Sequence, residues 1–232
     1  MSEFASQIVL ITGAKGGLGT HVTQAFLNAG ATVVGVSKSI QPSAFSHPAF
    51  VAMPADLLSG EAALALVEAV ITRFQRVDIL AHVAGGFAGG RPVSETDDST
   101  WDQMMNLNLQ AAFNAFRAVL PPMRQAGRGR IIAIASRAAV EPQPMIGAYS
   151  ASKAALVSLV RTVALENKDR GITANAILPG TIDTAANRAA DPNADRSRWI
   201  DPAHLASLVL FLASGAAAQL TGAAIPVYGA EA

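Results

Sequence analysis

Seven short runs of apolar, mostly β-branched residues punctuate the chain, at 8–12, 32–36, 50–53, 78–83, 130–135, 173–178 and 224–227. Within each run hydrophobicity is continuous rather than alternating, the signature of strands covered on both faces, as parallel strands are. Between the runs lie longer amphipathic stretches with helical spacing, at 18–28, 61–74, 100–126, 149–168 and 202–213. Gly30 follows the first of these where a C′ glycine belongs, and Asp201-Pro202 places an N-cap before a first-turn proline in the last. This alternation predicts one doubly wound α/β domain over 1–232, with a seven-stranded, mostly parallel sheet and helices on both faces. Only 181–200, rich in Ala, Asn, Asp and Arg, lacks a clear period. A long loop in a compact domain is usually functional, and its place after the sixth strand makes it a candidate lid.

Composition removes several classes of function. The chain has 17 basic and 17 acidic residues, so no broad basic face for nucleic acid is expected. The apolar stretch 207–218 is short of the roughly 20 residues that a membrane span needs, and the N-terminal residues lack the pattern of a signal peptide. With no cysteine there is no disulfide and no thiolate metal site, which fits a cytoplasmic protein. His21, His47, His82 and His204 are scattered without metal-ligand spacing, so no metal is expected.

Two constellations carry chemistry. Thr12-Gly13-Ala14-Lys15-Gly16-Gly17-Leu18-Gly19 joins the first strand to the first helix. Backbone N–H groups at a helix N-terminus attract a pyrophosphate, and glycines let it approach, although any tight strand-to-helix turn also selects glycine. Tyr149 and Lys153 stand four apart at the start of a helix and so share a face. Ser136 follows the fifth strand at its C-terminal end, the edge where open α/β sheets bind ligands. A phenol can protonate the alkoxide that forms when a carbonyl accepts hydride, an ammonium nearby favours the tyrosinate, and a serine hydroxyl can hold the oxygen. An ordinary surface i,i+4 pair and a turn serine would look the same.

In order along the whole chain, these pieces resemble the short-chain dehydrogenase/reductase family. The matching residues are Thr12-Gly13-x-x-x-Gly17-x-Gly19, Asp56, Ala84-Gly85, Asn108 in Asn-Leu-x-Ala-x-Phe, Ser136, Tyr149-Ser-Ala-Ser-Lys153, Pro179-Gly180-Thr181 and Thr221-Gly222. The resemblance implies a Rossmann fold and hydride transfer between NAD(P)(H) and a carbonyl or alcohol. Tyr149 would be the acid/base, Ser136 the orienter of the substrate oxygen, and Asn108 the holder of a relay water. Lys153 would bind the nicotinamide ribose and lower the tyrosine pKa. Gly13, Lys15, Gly17, Leu18, Gly19, Ser37, Lys38, Asp56, Leu57, Ala84, Gly85, Pro179, Gly180 and Ile182 would hold the dinucleotide, Asp56 at the adenine unless it serves only as a turn residue.

The family's usual Asn-Asn-Ala-Gly is here His82-Val83-Ala84-Gly85, and His82 reads as a structural histidine ahead of a substrate contact. Residues 83–90, Pro144-Met145-Ile146-Gly147 and the stretch from Leu178-Pro179 through Asn187-Arg188 resemble the dihydropteridine reductase branch, although that branch lacks the serine kept here at Ser136. Ser37 stands where NAD-preferring relatives carry an acid; Lys38 beside it can pair with a 2′-phosphate and Lys15 in the glycine loop is a second possible partner, so NADP(H) is favoured over NAD(H).

Substrate walls are expected at 86–91, 138–146 and 181–200, with Phe87, Met145, Ile146 and Trp199 as apolar surface and Arg91, Arg137 and Arg188 for an anionic or polar substrate. Relatives of this family associate as homodimers or homotetramers through two long helices, here 100–126 and 149–168. Ala111, Phe113, Phe116, Val119, Leu156, Leu159, Val160 and Val163 suit that role or the sheet face equally. A non-catalytic NADP(H)-binding sensor or structural subunit, and an isomerase or dehydratase on the same fold, are the competing readings.

Overall fold

A computed structural model describes residues 3–231, so the ends of the 1–232 span lie outside it. The strands are β1 (Ile8–Thr12), β2 (Thr32–Val36), β3 (Phe50–Ala52), β4 (Ile79–His82), β5 (Gly129–Ile134), β6 (Ile172–Pro179) and β7 (Ala224–Val227). They form one sheet in the order β3-β2-β1-β4-β5-β6-β7. Every pairing is parallel, which tightens the expectation of a mostly parallel sheet. Full burial of β1 and β6 explains why their hydrophobicity runs on without alternation.

Helices cover both faces. On one lie α1 (Gly17–Asn28) and α7 (Pro202–Ala213); on the other lie α2 (Gly60–Phe74), α4 (Ala111–Ala126) and α5 (Gly147–Asn167). Phe26, Leu205 and Val209 fill the first layer, and Phe116, Leu156 and Val160 fill the second. Asp201 caps α7 by accepting from the Ala203 N–H at 2.8 Å. The chain leaves α1 with Gly30 at φ +83, while the N–H of Ala31 returns to the Phe26 carbonyl at 3.0 Å and closes the helix end.

The expected helix 100–126 is divided. A helix α3 (Asp98–Met105) passes through a wider π turn at Asn106–Gln110 before α4 begins. The reason lies at Asn108, whose side chain is drawn out of helical register toward Gly86 and Ser152. The segment 181–200 is more ordered than its sequence suggested. It contains α6 (Ala185–Ala190) and a short turn at Arg196–Arg198, and an isolated bridge between Ile182 and Ile200 ties its ends together.

Ala111, Phe116, Val119, Leu156, Val160 and Val163 are buried within the chain, so of the two roles open to them the sheet face is realised. Phe113 stays 41% exposed on α4, and Leu165, unremarked in the sequence, is 72% exposed on α5. Among the described residues no helix is long and apolar enough to cross a membrane, and no His/Cys/Asp/Glu group is arranged to hold a metal.

Candidate active site

The strand order reverses between β1 and β4, and the C-terminal ends of these strands open a crevice there. Gly13 leaves β1 at φ +68 and packs so closely on Ala84 that a Cβ would lie 2.8 Å from its backbone nitrogen. A Cβ on Gly19 would collide with the Gly13 carbonyl oxygen, so the loop closes on itself only with glycine at both positions. Thr12 Oγ1 accepts the Ala84 N–H at 3.2 Å and lies 3.0 Å from His82 Nδ1.

His82 is fully buried, and its Nε2 has no hydrogen-bond partner. Burial, then the charge of Lys153, lowers its pKa to about 3, so the ring is neutral at ordinary pH. The structural reading of His82 fits these contacts: it braces the two strand ends from beneath and does not line the cavity above Tyr149.

Beside this crevice the reactive groups converge. Ser136 begins the turn after β5, and its Oγ accepts the Ala138 N–H at 3.2 Å while also hydrogen-bonding the Tyr149 phenol. Lys153 lies one turn beyond Tyr149 on α5, almost wholly buried, and donates to the Ile134 carbonyl at 2.9 Å. Burial lowers the lysine pKa to about 8. Its Nζ is 5.9 Å from the centre of the Tyr149 ring.

The expected lowering of the Tyr149 pKa by Lys153 is not what this arrangement gives. Burial raises it, and the Ser136 hydrogen bond offsets only part of that rise. The ammonium is turned to a main-chain carbonyl instead of the phenol.

Asn108 is buried and fully engaged. Its Oδ1 accepts the Gly86 N–H at 2.9 Å, and its Nδ2 donates to the Gly86 carbonyl at 3.1 Å and to Ser152 Oγ at 3.0 Å. The side chain thus positions the Gly85-Gly86 turn. A Cβ on Gly85 would stand 2.8 Å from Asn108 Oδ1 and 3.1 Å from Lys153 Nζ, so the turn and the lysine are fitted to each other.

Two cavities flank this centre. One, of about 280 Å³, is lined by Gly13, Ser37, Lys38, Asp56, Leu57, Ala84 and Gly85 among others. Lys38 and Asp56 form an ion pair across its rim at 2.9 Å, both well exposed. Asp56 also accepts the Leu58 N–H at 3.1 Å, so its turn role is realised, and Lys38 holds its carboxyl below the ordinary pKa. Lys15 reaches the same end of β2 through Ser39 Oγ at 2.8 Å. Ser37 Oγ is buried there without a partner.

The other cavity, of about 530 Å³, has Ser136 and Tyr149 in its wall together with Phe87, Ile146, Pro179 and Gly180. Phe87 is 66% exposed, with its ring edge-on to Tyr149 at 5.0 Å. Met145 lines a smaller neighbouring pocket instead, and Trp199 lines neither. The expected cofactor residues Leu18 and Ile182 also lie outside both cavities, Leu18 buried in the first turn of α1 and Ile182 in the bridge to Ile200.

Thr184, Glu141 and Gln143 lie within the expected walls 138–146 and 181–200 but were not singled out there. Thr184 lies against Gly17, where a Cβ would come within 2.8 Å of its side chain, and it caps α6. Glu141 and Gln143 line the larger cavity. Glu141 was findable, because it stands four residues after Arg137 and the two are paired.

A parallel doubly wound sheet, a glycine turn at its switch point and a Ser–Tyr–Lys group at the strand ends define a dinucleotide-binding oxidoreductase. A family model described as short chain dehydrogenase matches residues 7–195. Short chain dehydrogenase adrF of Penicillium rubens is 31% identical, over 98% of this chain and 97% of its own. D-beta-hydroxybutyrate dehydrogenase of Rhizobium meliloti is 29% identical, over 97% of this chain and 98% of its own. The solved structure titled ElxO with NADP Bound superposes with a TM-score of 0.91 at 24% identity, covering 96% of this chain and 97% of that one. The chain belongs to the short-chain dehydrogenase/reductase family and is an NAD(P)-dependent enzyme of that family.

Proposed function

We propose that this enzyme interconverts a carbonyl and an alcohol using NADP(H), with Tyr149 Oη as the group that gives and takes the proton. The observation that carries this reading is the shared wall of the larger cavity, where Ser136 and Tyr149 stand side by side above buried Lys153. Ser136 Oγ orients the substrate oxygen and Tyr149 protonates it, while Lys153, held by the Ile134 carbonyl, would bind the nicotinamide ribose. Asn108 fixes the Gly85-Gly86 turn and, through it, the site of Lys153.

The residues present fit a dinucleotide. The loop that Gly13 opens offers the pyrophosphate the backbone N–H groups of Gly17, Leu18 and Gly19 at the start of α1, and the smaller cavity with its unpartnered Ser37 Oγ suits the adenosine half. Asp56 and Leu57 would flank the adenine, Lys38 and Lys15 would meet a 2′-phosphate, and Ala84, Pro179, Gly180 and Ile182 would face the nicotinamide half. When bound, the dinucleotide supplies or accepts the hydride. Thr184, against Gly17, makes 181–200 a lid anchored on the cofactor loop.

Association through the outer faces of α4 and α5, where Phe113 and Leu165 are exposed, is part of the same proposal. So is residence in the cytoplasm, which the absence of cysteine favours. The test is a panel of ketones, alcohols and a quinonoid dihydropterin run with both nicotinamide cofactors. Carbonyl turnover faster with NADPH than with NADH is expected. Turnover of the dihydropterin alone would move the enzyme to the pterin-reductase reading. Cofactor binding with no turnover of any compound would make it a sensor.

A further inference from the structure

Three arginines stood out in the sequence as partners for an anionic substrate, and each is already matched by an acid. Arg137, in the turn after Ser136, donates through Nε to Glu141 Oε2 at 2.7 Å, and its guanidinium carbon lies 4.7 Å from the centre of the Tyr228 ring. Arg188 grips Asp183 with both arms, at 2.5 and 2.7 Å. Arg91 reaches Asp97 at 3.4 Å.

Among the described residues lining the larger cavity, Arg137 is the one cation. Lys153 lies beneath Tyr149 with Nζ bound to the Ile134 carbonyl. Glu141, in contrast, keeps 43% of its side chain exposed in that wall. A ligand carboxylate entering here meets a carboxylate that already holds Arg137 Nε. Like charges brought together in a partly desolvated site repel strongly.

The rest of the wall favours another kind of ligand. Phe87 and Ile146 offer an apolar face next to the reactive phenol, and an exposed aromatic ring gains most when a flat apolar body covers it. Glu141 and Gln143 lie in the same cavity and supply acceptors that suit a hydroxyl or N–H.

We infer that this site, read as the carbonyl site proposed above, takes an uncharged ring-bearing ketone or alcohol whose distal hydroxyl or N–H donates to Glu141, and that it turns away keto acids. The Arg137–Glu141 pair is then the specificity determinant. It acts on the far end of the substrate, away from the reacting carbon.

The experiment compares acetophenone, para-(hydroxymethyl)acetophenone and para-acetylbenzoate with the full chain and both reduced cofactors. In the parent, kcat/KM for the hydroxymethyl compound should exceed that for the acid by about tenfold or more. In Glu141→Gln the acid-to-neutral ratio should rise by about tenfold, because the repelling charge is gone and Arg137 is released from it. Both substrates are measured on one preparation, so partial misfolding cancels from the ratio. If the variant does not fold, the parent comparison alone decides. Equal or better use of the acid by the parent, or an unchanged ratio in Glu141→Gln, overturns the inference and leaves the carbonyl reading standing. No turnover of any of the three ketones with either cofactor overturns both.

Discussion

Beneath Tyr149, Lys153 and Asn108 are buried and hydrogen-bonded to elements far away in sequence. At the rims of the two cavities and in the segment 181–200, Lys38–Asp56, Arg137–Glu141 and Arg188–Asp183 are held by ion pairs in which at least one partner is well exposed. The buried floor is over-determined, since each group there is fixed by partners that are themselves fixed. Exposed pairs are individually worth about 1 kcal/mol or less, so the rim can change its charges without disturbing the fold. Chemistry is thereby separated from selectivity: changes to the floor should lower kcat, and changes to the rim should redistribute substrates and cofactors.

The sharpest way to break that division is at Lys153. Lys153→Met should lower kcat by about a hundredfold or more while the sheet remains folded. The same variant exposes the cost of burying the ammonium. With a folded pKa of about 8 against an ordinary 10.5, the folded chain binds fewer protons than the unfolded chain between those values. Stability contributed by this group therefore rises with pH across that window, by roughly 3 kcal/mol if the whole shift is expressed. Denaturant unfolding of parent and Lys153→Met at both ends of the window measures it, and parallel pH profiles would contradict the burial.

Gly85→Ala is the next test of the floor. Its Cβ would press on Asn108 Oδ1 and Lys153 Nζ, and a fall in kcat of about tenfold is expected, larger than any change in KM for the carbonyl. An equal effect confined to KM would place Gly85 with the rim.

At the rim, Lys38→Glu should raise the KM for NADPH relative to NADH by about tenfold and leave kcat nearly untouched. Equal changes for both cofactors would remove Lys38 from cofactor discrimination. The smallest effect is expected at Met145, which sits at φ +69 just before α5. Met145→Gly should stabilise the protein by about 0.5–1 kcal/mol, because the left-handed backbone is strained for a residue with a side chain. Chemical denaturation reads it, and destabilisation would mean that the thioether packing outweighs the strain.

What one strand or one helix sets was legible in the sequence, and the pairings between elements were not. Strands β1 and β6 announce themselves because burial on both faces demands continuous apolar residues. Tyr149 and Lys153 are legible because one helix sets their spacing, and Ser136 because a strand end sets its place. The π turn at Asn108 was not, since it exists to meet Gly86 and Ser152 from other elements. The partners of Arg91 and Arg188 were hidden because Asp97 and Asp183 stand at spacings that no regular helix brings together. Tyr228, which comes from just beyond β7 to lie against Arg137, leaves no local signal at all. The Tyr149–Lys153 spacing also hid a correction: proximity along the helix did not turn the ammonium toward the phenol, because the Ile134 carbonyl holds it.

The central claim is that Tyr149 Oη handles the proton, and Tyr149→Phe tests it most directly. NADPH binding, followed by fluorescence, should be retained, while single-turnover reduction of a ketone that the parent accepts should slow by about a hundredfold to ten-thousandfold. A Tyr149→Phe enzyme that binds NADPH and reduces that ketone as fast as the parent would contradict the assignment.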